Sequence, residues 1–151
     1  MRNLPFILHV EPDRFSQSFR GKTVTDFLEW LTPSSLASLK PYTSTLSVLL
    51  NENGGIIDDT IVTKHASDAF YVVTNAGRRE RDLSWFKEKL DEWNATDKGK
   101  QGPVELEVLE NWGLLALQGK SLAFISPRHH FSFDTSSRSG SSIVFAGINL
   151  F

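Results

Sequence analysis

The sequence predicts an α+β fold: an antiparallel sheet with helices packed against it. Three observations carry that prediction. The apolar runs from Ser44 to Leu50 and from Ile56 to Lys64 flank an NENGG segment, the pattern of two strands joined by a hairpin turn. Leu83, Phe86, Leu90 and Trp93 recur at intervals of three and four, the period of one buried helix face. VELEVL, from Val104 to Leu109, alternates acid with aliphatic, as a half-exposed strand does. With 151 residues, 40% of them hydrophobic, the chain is about one domain long and can build a real core.

Each element follows from its local chemistry. Residues 1 to about 16 contain Pro5 and Pro12 and show no clear periodicity. Thr23 or Thr25 can cap a short helix whose apolar residues are Phe27, Leu28 and Leu31, and Pro33 stops it. Ser34 opens a second short helix through Leu39, ending before Pro41. The hairpin strands come next, joined through Asn51 to Gly55, where Asn and Gly tolerate positive φ. Ala66 to Asp68 forms another turn, and Phe70 to Thr74 a third strand. Asn75, Ala76 and Gly77 lead into a helix from about Arg78 to Trp93. Asp97 to Gln101, with Gly102 and Pro103, reads as a loop, and Leu114 to Leu117 as a buried strand. Beyond residue 119 the composition shifts to DTSSRSGSS, Asp134 to Ser142, and the tail of residues 120–151 is expected to be irregular.

Composition excludes several functions. A net charge of -2 gives no reason to expect nucleic acid or an anionic membrane as partner. There is no cysteine, which excludes disulfides, thiolate catalysis and cysteine metal sites. No apolar run approaches the roughly 20 residues of a transmembrane helix. MRNLPFILHV is followed at once by Glu11 and Asp13, so it matches neither a signal peptide nor a mitochondrial presequence.

The candidate chemistry centres on Asp58 and Asp59, adjacent carboxylates in an apolar strand. An ionised carboxylate in apolar surroundings is costly unless paired. On a strand the two point to opposite faces, so one can meet solvent and the other whatever the sheet encloses. Both could equally be solvated acids beside a turn. Asn75, where a strand passes into a helix, could be an N-cap or a donor to a polar heterocycle. Arg78, Arg79 and Arg81 crowd the first turn of that helix, against its dipole. They could be a solvated run or a docking patch for an anionic partner. His129 and His130 are adjacent on the chain, and His9 and His65 are isolated, so no metal site is expected. No P-loop or GxGxxG is present.

Three long stretches then resemble one family in order. STLSVLLNENGGIIDDTIV (Ser44 to Val62), FYVVTNAGRRERDLSWF (Phe70 to Phe86) and LEVLENWGLLALQG (Leu106 to Gly119) resemble aminomethyltransferase, the T-protein of the glycine cleavage system, in a fungal-like form. The resemblance covers residues 17–119, read as a partial folate-binding domain of the aminomethyltransferase type. It implies transfer of a one-carbon unit from the aminomethylated lipoyl arm of H-protein to tetrahydrofolate, with release of ammonia. Neither a metal nor another bound cofactor is implied. Asp59 aligns with the catalytic acid, which contacts the folate and orients its nitrogen for attack. Leu46, Val73 and Asn75 align with positions lining the folate pocket, and Asp58 is left as an outward-facing neighbour. Arg78, Arg79 and Arg81 remain the possible docking patch. The family's location is the mitochondrial matrix.

The flanks depart from the family. Residues 1–16 do not match the segment ending in a D-x-S-H-M-like stretch that family members carry there, and residues 120–151 match nothing beyond LQG. The expectation is a chain truncated at both ends, with little or no transferase activity alone. Its hairpin strands, Ser44 to Leu50 and Ile56 to Lys64, would lack neighbours supplied by the missing parts. The alternatives are a folate-binding domain without transferase chemistry and a plain α+β module in which Asp59 is structural. The cysteine motif of the related iron–sulfur assembly factors is absent, which argues against that branch.

Overall fold

The computed structural model describes residues 7–10, 14–110, 112–119 and 142–149. Five strands form the main antiparallel sheet: β2 (Arg14–Arg20), β3 (Thr43–Leu50), β4 (Ile56–Ala66), β5 (Ala69–Asn75) and β6 (Glu105–Val108), in the order β3-β4-β5-β2-β6. A second sheet joins β1 (Ile7–Val10), β7 (Trp112–Gly119) and β8 (Ser142–Asn149), with β7 in the middle. Helix α1 (Val24–Leu31), helix α2 (Arg79–Ala95) and the single turn α3 (Asp97–Lys100) complete the order.

The hairpin forms where the sequence places it. Asn51 closes the turn from both ends: its side-chain oxygen accepts from the backbone N–H groups of Asn53 and Gly55 at 3.0 and 2.8 Å. Gly54 takes φ 75°, a conformation open to glycine. Of the two hairpin strands β3 lies at the sheet edge among the described residues, whereas β4 is interior, flanked by β3 and β5, so it does not lack a neighbour as expected.

Strands β4, β5 and β2 place alternate residues on opposite faces. One face carries Phe19, Val62, Phe70 and Val72, all buried beneath the helices with Phe27, Leu28, Leu31, Phe86 and Trp93. Phe86 stands edge-on to Phe19 at 5.0 Å between ring centroids, and Phe27 lies 5.9 Å from Trp93. Aromatic pairs in this geometry add to the burial of their area.

Five elements differ from expectation. Asp97–Lys100, read as a loop, forms the single helical turn α3, capped by the Thr96 hydroxyl, which accepts from the Gly99 N–H at 3.0 Å. Residues 34–39 make turns rather than a helix, with Leu36 buried and the Ala37 N–H donating to the Glu29 carboxylate at 2.8 Å. The buried positions of α2 are Asp82, Phe86, Lys89 and Trp93; Leu90 is partly buried against the core as expected, while Leu83 is not among the residues packed there. Lys89 is held there by the Glu52 and Glu92 carboxylates at 2.6 and 2.7 Å and by the Trp85 ring at 4.8 Å. Strand β2 begins at Arg14, ahead of the expected boundary at residue 17. Strand β8 lies in the tail expected to be irregular; its SIVFAGIN is rich in the branched and aromatic residues that favour strands.

Gly21 joins β2 to α1. Its φ is 145°, and a Cβ built there would sit 2.3 Å from the Pro103 carbonyl oxygen. Gly21→Ala is therefore expected to cost at least about 1–3 kcal/mol, from backbone strain with a backbone clash added. Urea denaturation of the variant checks this; an unchanged midpoint would contradict it.

Candidate functional site

The end of β4 nearest the hairpin meets the end of β5 and the start of β2. Continuing the register of Ile61 with Val73 brings Asp59 opposite Asn75, and Arg14 is paired with Asn75 from the other side. These three side chains, with Leu46 and Val73, lie on the sheet face opposite the helices.

Asp59 is the hub. Asn75 Nδ2 donates to its Oδ1 at 2.6 Å, and Arg14 Nη1 donates to its Oδ2 at 3.0 Å. Asn75 and then Arg14 hold the Asp59 carboxyl below the ordinary carboxylate range, against partial burial. The group is thus ionised at neutral pH. Its side chain keeps 47% of its exposure, so one flank remains open to a ligand. A held, ionised and accessible carboxylate can accept a hydrogen bond from an N–H group and stabilise positive charge developing beside it.

Asp58 is not the outward-facing neighbour the sequence reading made it. It is 8% exposed and points to the helix-covered face. Its oxygens accept from the Asn75 backbone N–H at 3.3 Å and from Asn75 Nδ2 at 2.8 Å. Asn75 does precede a 3-10 turn, Ala76–Arg78, yet its side chain makes no cap hydrogen bond. Instead it bridges two carboxylates that the strand sends to opposite faces. Asn suits this because its amide nitrogen has two donors.

The remaining candidates separate. Val73 is 6% exposed and Leu46 is 73% exposed, so the two differ in what they can offer a ligand. Arg79 pairs with Glu110 and lies over the Phe15 ring, 5.4 Å from its centroid. Arg81 is exposed beside a groove of about 270 Å³ lined by Asn51, Ile57, Ser84, Trp85 and Glu88. Arg78 through Arg81 also line a shallow hollow of about 520 Å³ over the start of α2. Asp59 lines neither. Arg79 is paired with Glu110, while Arg78 and Arg81 have no ion-pair partner among the described residues. Among the same residues no group of three or more His, Asp or Glu is placed to hold a metal ion. His9 lies on β1 and His65 stacks edge-on against Tyr42 and Tyr71; His129 and His130 fall outside the described residues.

Sequence reasoning missed two residues. Arg14 was hidden in a segment set aside as unrelated, although RFSQSFR starts and ends with a cation around alternating residues. Asp82 was hidden because a carboxylate on a helix of mean charged character reads as solvated; it is fully buried, and nothing in its spacing alone marks it.

Comparisons with known proteins show what the chain is similar to. The family model of the GCVT N-terminal domain matches residues 15–135, beginning inside β2 and running past residue 119. A probable mitochondrial aminomethyltransferase of Schizosaccharomyces pombe is 45% identical over 106 residues, covering 70% of this chain and 25% of that protein. The mitochondrial aminomethyltransferase of Mesembryanthemum crystallinum is 46% identical over 102 residues, 68% of this chain and 24% of its own length. The crystal structure of glycine cleavage system aminomethyltransferase T from Bartonella henselae superposes with a TM-score of 0.62 at 29% identity, covering 74% of this chain and 28% of that one. The chain spans about a quarter of the length of the curated relatives it matches. With the match extending over most of its residues, the chain belongs to the GCVT N-terminal domain family.

Proposed function

We propose that this chain is the folate-binding part of an aminomethyltransferase of the glycine cleavage system. In this reading the protein transfers a one-carbon unit from the aminomethylated lipoyl arm of H-protein to tetrahydrofolate and releases ammonia. Membership in the family, with relatives named mitochondrial aminomethyltransferases, supports the activity and a place in the mitochondrial matrix. The observation that carries the site is Asp59: ionised, fixed by Asn75 and Arg14, and half open to solvent. Its role is to accept a hydrogen bond from the folate and to stabilise positive charge as the folate nitrogen attacks the aminomethyl carbon. Leu46 and Val73 supply apolar contact on the same face, and Asn75 holds the acid while remaining near the ligand. Arg78 and Arg81 are the residues left to dock an acidic partner such as H-protein.

A chimera tests this. Residues 15–119 of this chain replace the matching segment of the fission-yeast relative, and methylenetetrahydrofolate formation from aminomethylated H-protein is measured. The chimera is expected to keep turnover within about tenfold of the parent, since packing mismatches at 45% identity cost little at the site itself. A chimera that folds but forms no product would overturn the reading.

A further inference from the structure

Asp82 is a charged residue in the wrong place. It lies on the buried stripe of α2, is 0% exposed, and neither of its carboxyl oxygens makes a hydrogen bond to a donor among the described residues. An ionised carboxylate so placed would be strongly disfavoured. What faces it from β4 is another carboxyl, Asp58. From β5 the Thr74 hydroxyl lies beside it, and that hydroxyl already accepts from Gln17 Nε2 of β2 at 3.1 Å. Arg78, in the 3-10 turn ahead of α2, is the cation in its neighbourhood.

Two carboxyls that face each other in a buried space do not both ionise. One proton between them removes the repulsion and turns one acid into a donor for the other. Asp58 is suited to be the acceptor, because the Asn75 backbone N–H and Nδ2 already donate to it. Asp82 is suited to carry the proton, because it is the more deeply buried of the two and lacks the amide donors that serve Asp58. We propose that Asp82 and Asp58 share one proton, and that this proton fixes Asp58, hence Asn75, hence the orientation of Asp59. Asp82 is then a positioning residue, one helix behind the acid that meets the ligand.

The electrostatics agree. Burial first, and then the Asp58 carboxylate, push the Asp82 carboxyl up to about 7, with Thr74 and Arg78 opposing. A folded value above the ordinary value of about 3.9 means the folded chain binds this proton more tightly than the unfolded chain. The stability that Asp82 confers is therefore complete below about pH 3.9 and is lost as pH rises to about 7.

The proton and the positioning are tested without folate, so their failure is distinct from failure of the folate reading on which the functional consequence rests. Carboxyl carbon NMR is used to titrate Asp59 and Asp82 in the full chain, in Asp82→Asn and in Asp82→Val. The parent should show Asp82 titrating near neutral pH and Asp59 below the ordinary range. Asn keeps a donor toward Asp58 without a titrating proton, so Asp59 should stay low in Asp82→Asn. Val removes the donor, and Asp59 should move up toward its ordinary value. Asp82 titrating at or below about pH 3.9 in the parent would overturn the shared proton. Asp59 unmoved in Asp82→Val, or displaced equally by Asn and Val, would overturn the positioning role. Should Asp82→Val not fold, the stability gap between Asp82→Asn and the parent decides: it should widen from about pH 4 to about pH 7, and a constant gap would contradict the proposal. Binding of 5-formyltetrahydrofolate should change by less than about threefold in Asp82→Asn and fall by about 10- to 100-fold in Asp82→Val, the effect of losing a hydrogen bond to a charged group.

Discussion

Phe86→Ala is expected to destabilise the chain by about 3–5 kcal/mol, the effect of emptying a large aromatic site in a packed core. Phe86 is fully buried where α2 crosses the sheet, edge-on to Phe19 of β2 and within the cluster that includes Phe27 and Trp93. No polar neighbour can fill the space, and the surrounding rings are fixed by one another: Phe19 also lies 6.0 Å from Phe27. A domain of this size has a total stability of about 5–15 kcal/mol, so the loss is a large share of the whole. Urea denaturation followed by tryptophan fluorescence should show a much lower midpoint with an unchanged slope. A loss under about 1 kcal/mol would mean that α2 is not seated on β2 as described.

Much of this fold was legible in the sequence because local chemistry and tertiary packing agreed. The NENGG turn, the apolar runs beside it and the Phe86–Trp93 spacing each point to the element that forms. Strand β2 was not legible. Ser16, Gln17 and Ser18 are polar and yet buried in the middle of the sheet, where Gln17 is held by Thr74. A pattern that equates polarity with exposure cannot see such a strand. The helix face was read incompletely for the same reason: Phe86, Leu90 and Trp93 meet the core as expected, but Asp82 and Lys89 occupy two of the four buried positions.

The site was legible in part. Alternation showed that Asp58 and Asp59 point apart, but periodicity has no sign: it separates two faces without saying which one the helices cover. The helices cover the Asp58 face, so the supposed bystander became the buried partner of Asn75. Leu46 and Asp59, taken as neighbours on one ligand face, do share a face, although Leu46 is largely exposed and Val73 on that face is not. Arg14 joins the cluster from a strand that local pattern did not reveal.

Asp59→Ala is the second large effect expected. The substitution removes the open carboxylate and leaves Arg14, a quarter exposed, without the acid it pairs with. A ligand N–H then loses a charged acceptor that is held in place before the ligand arrives, worth about 1.5–3 kcal/mol or more where solvent is excluded. Because Asp59 is half exposed, the fold itself should be nearly unaffected, with a stability change within about 1 kcal/mol. Binding and stability should therefore part company in this variant, whereas Phe86→Ala should lower stability first.

The measurement that bears most directly on the account is isothermal calorimetry of 5-formyltetrahydrofolate with the chain and with its Asp59→Ala variant. The account predicts saturable binding by the parent and a loss of at least about tenfold in affinity by the folded variant. Equal binding by both would show that Asp59 does not face the folate, and binding by neither would contradict the assignment of this chain as a folate-binding domain.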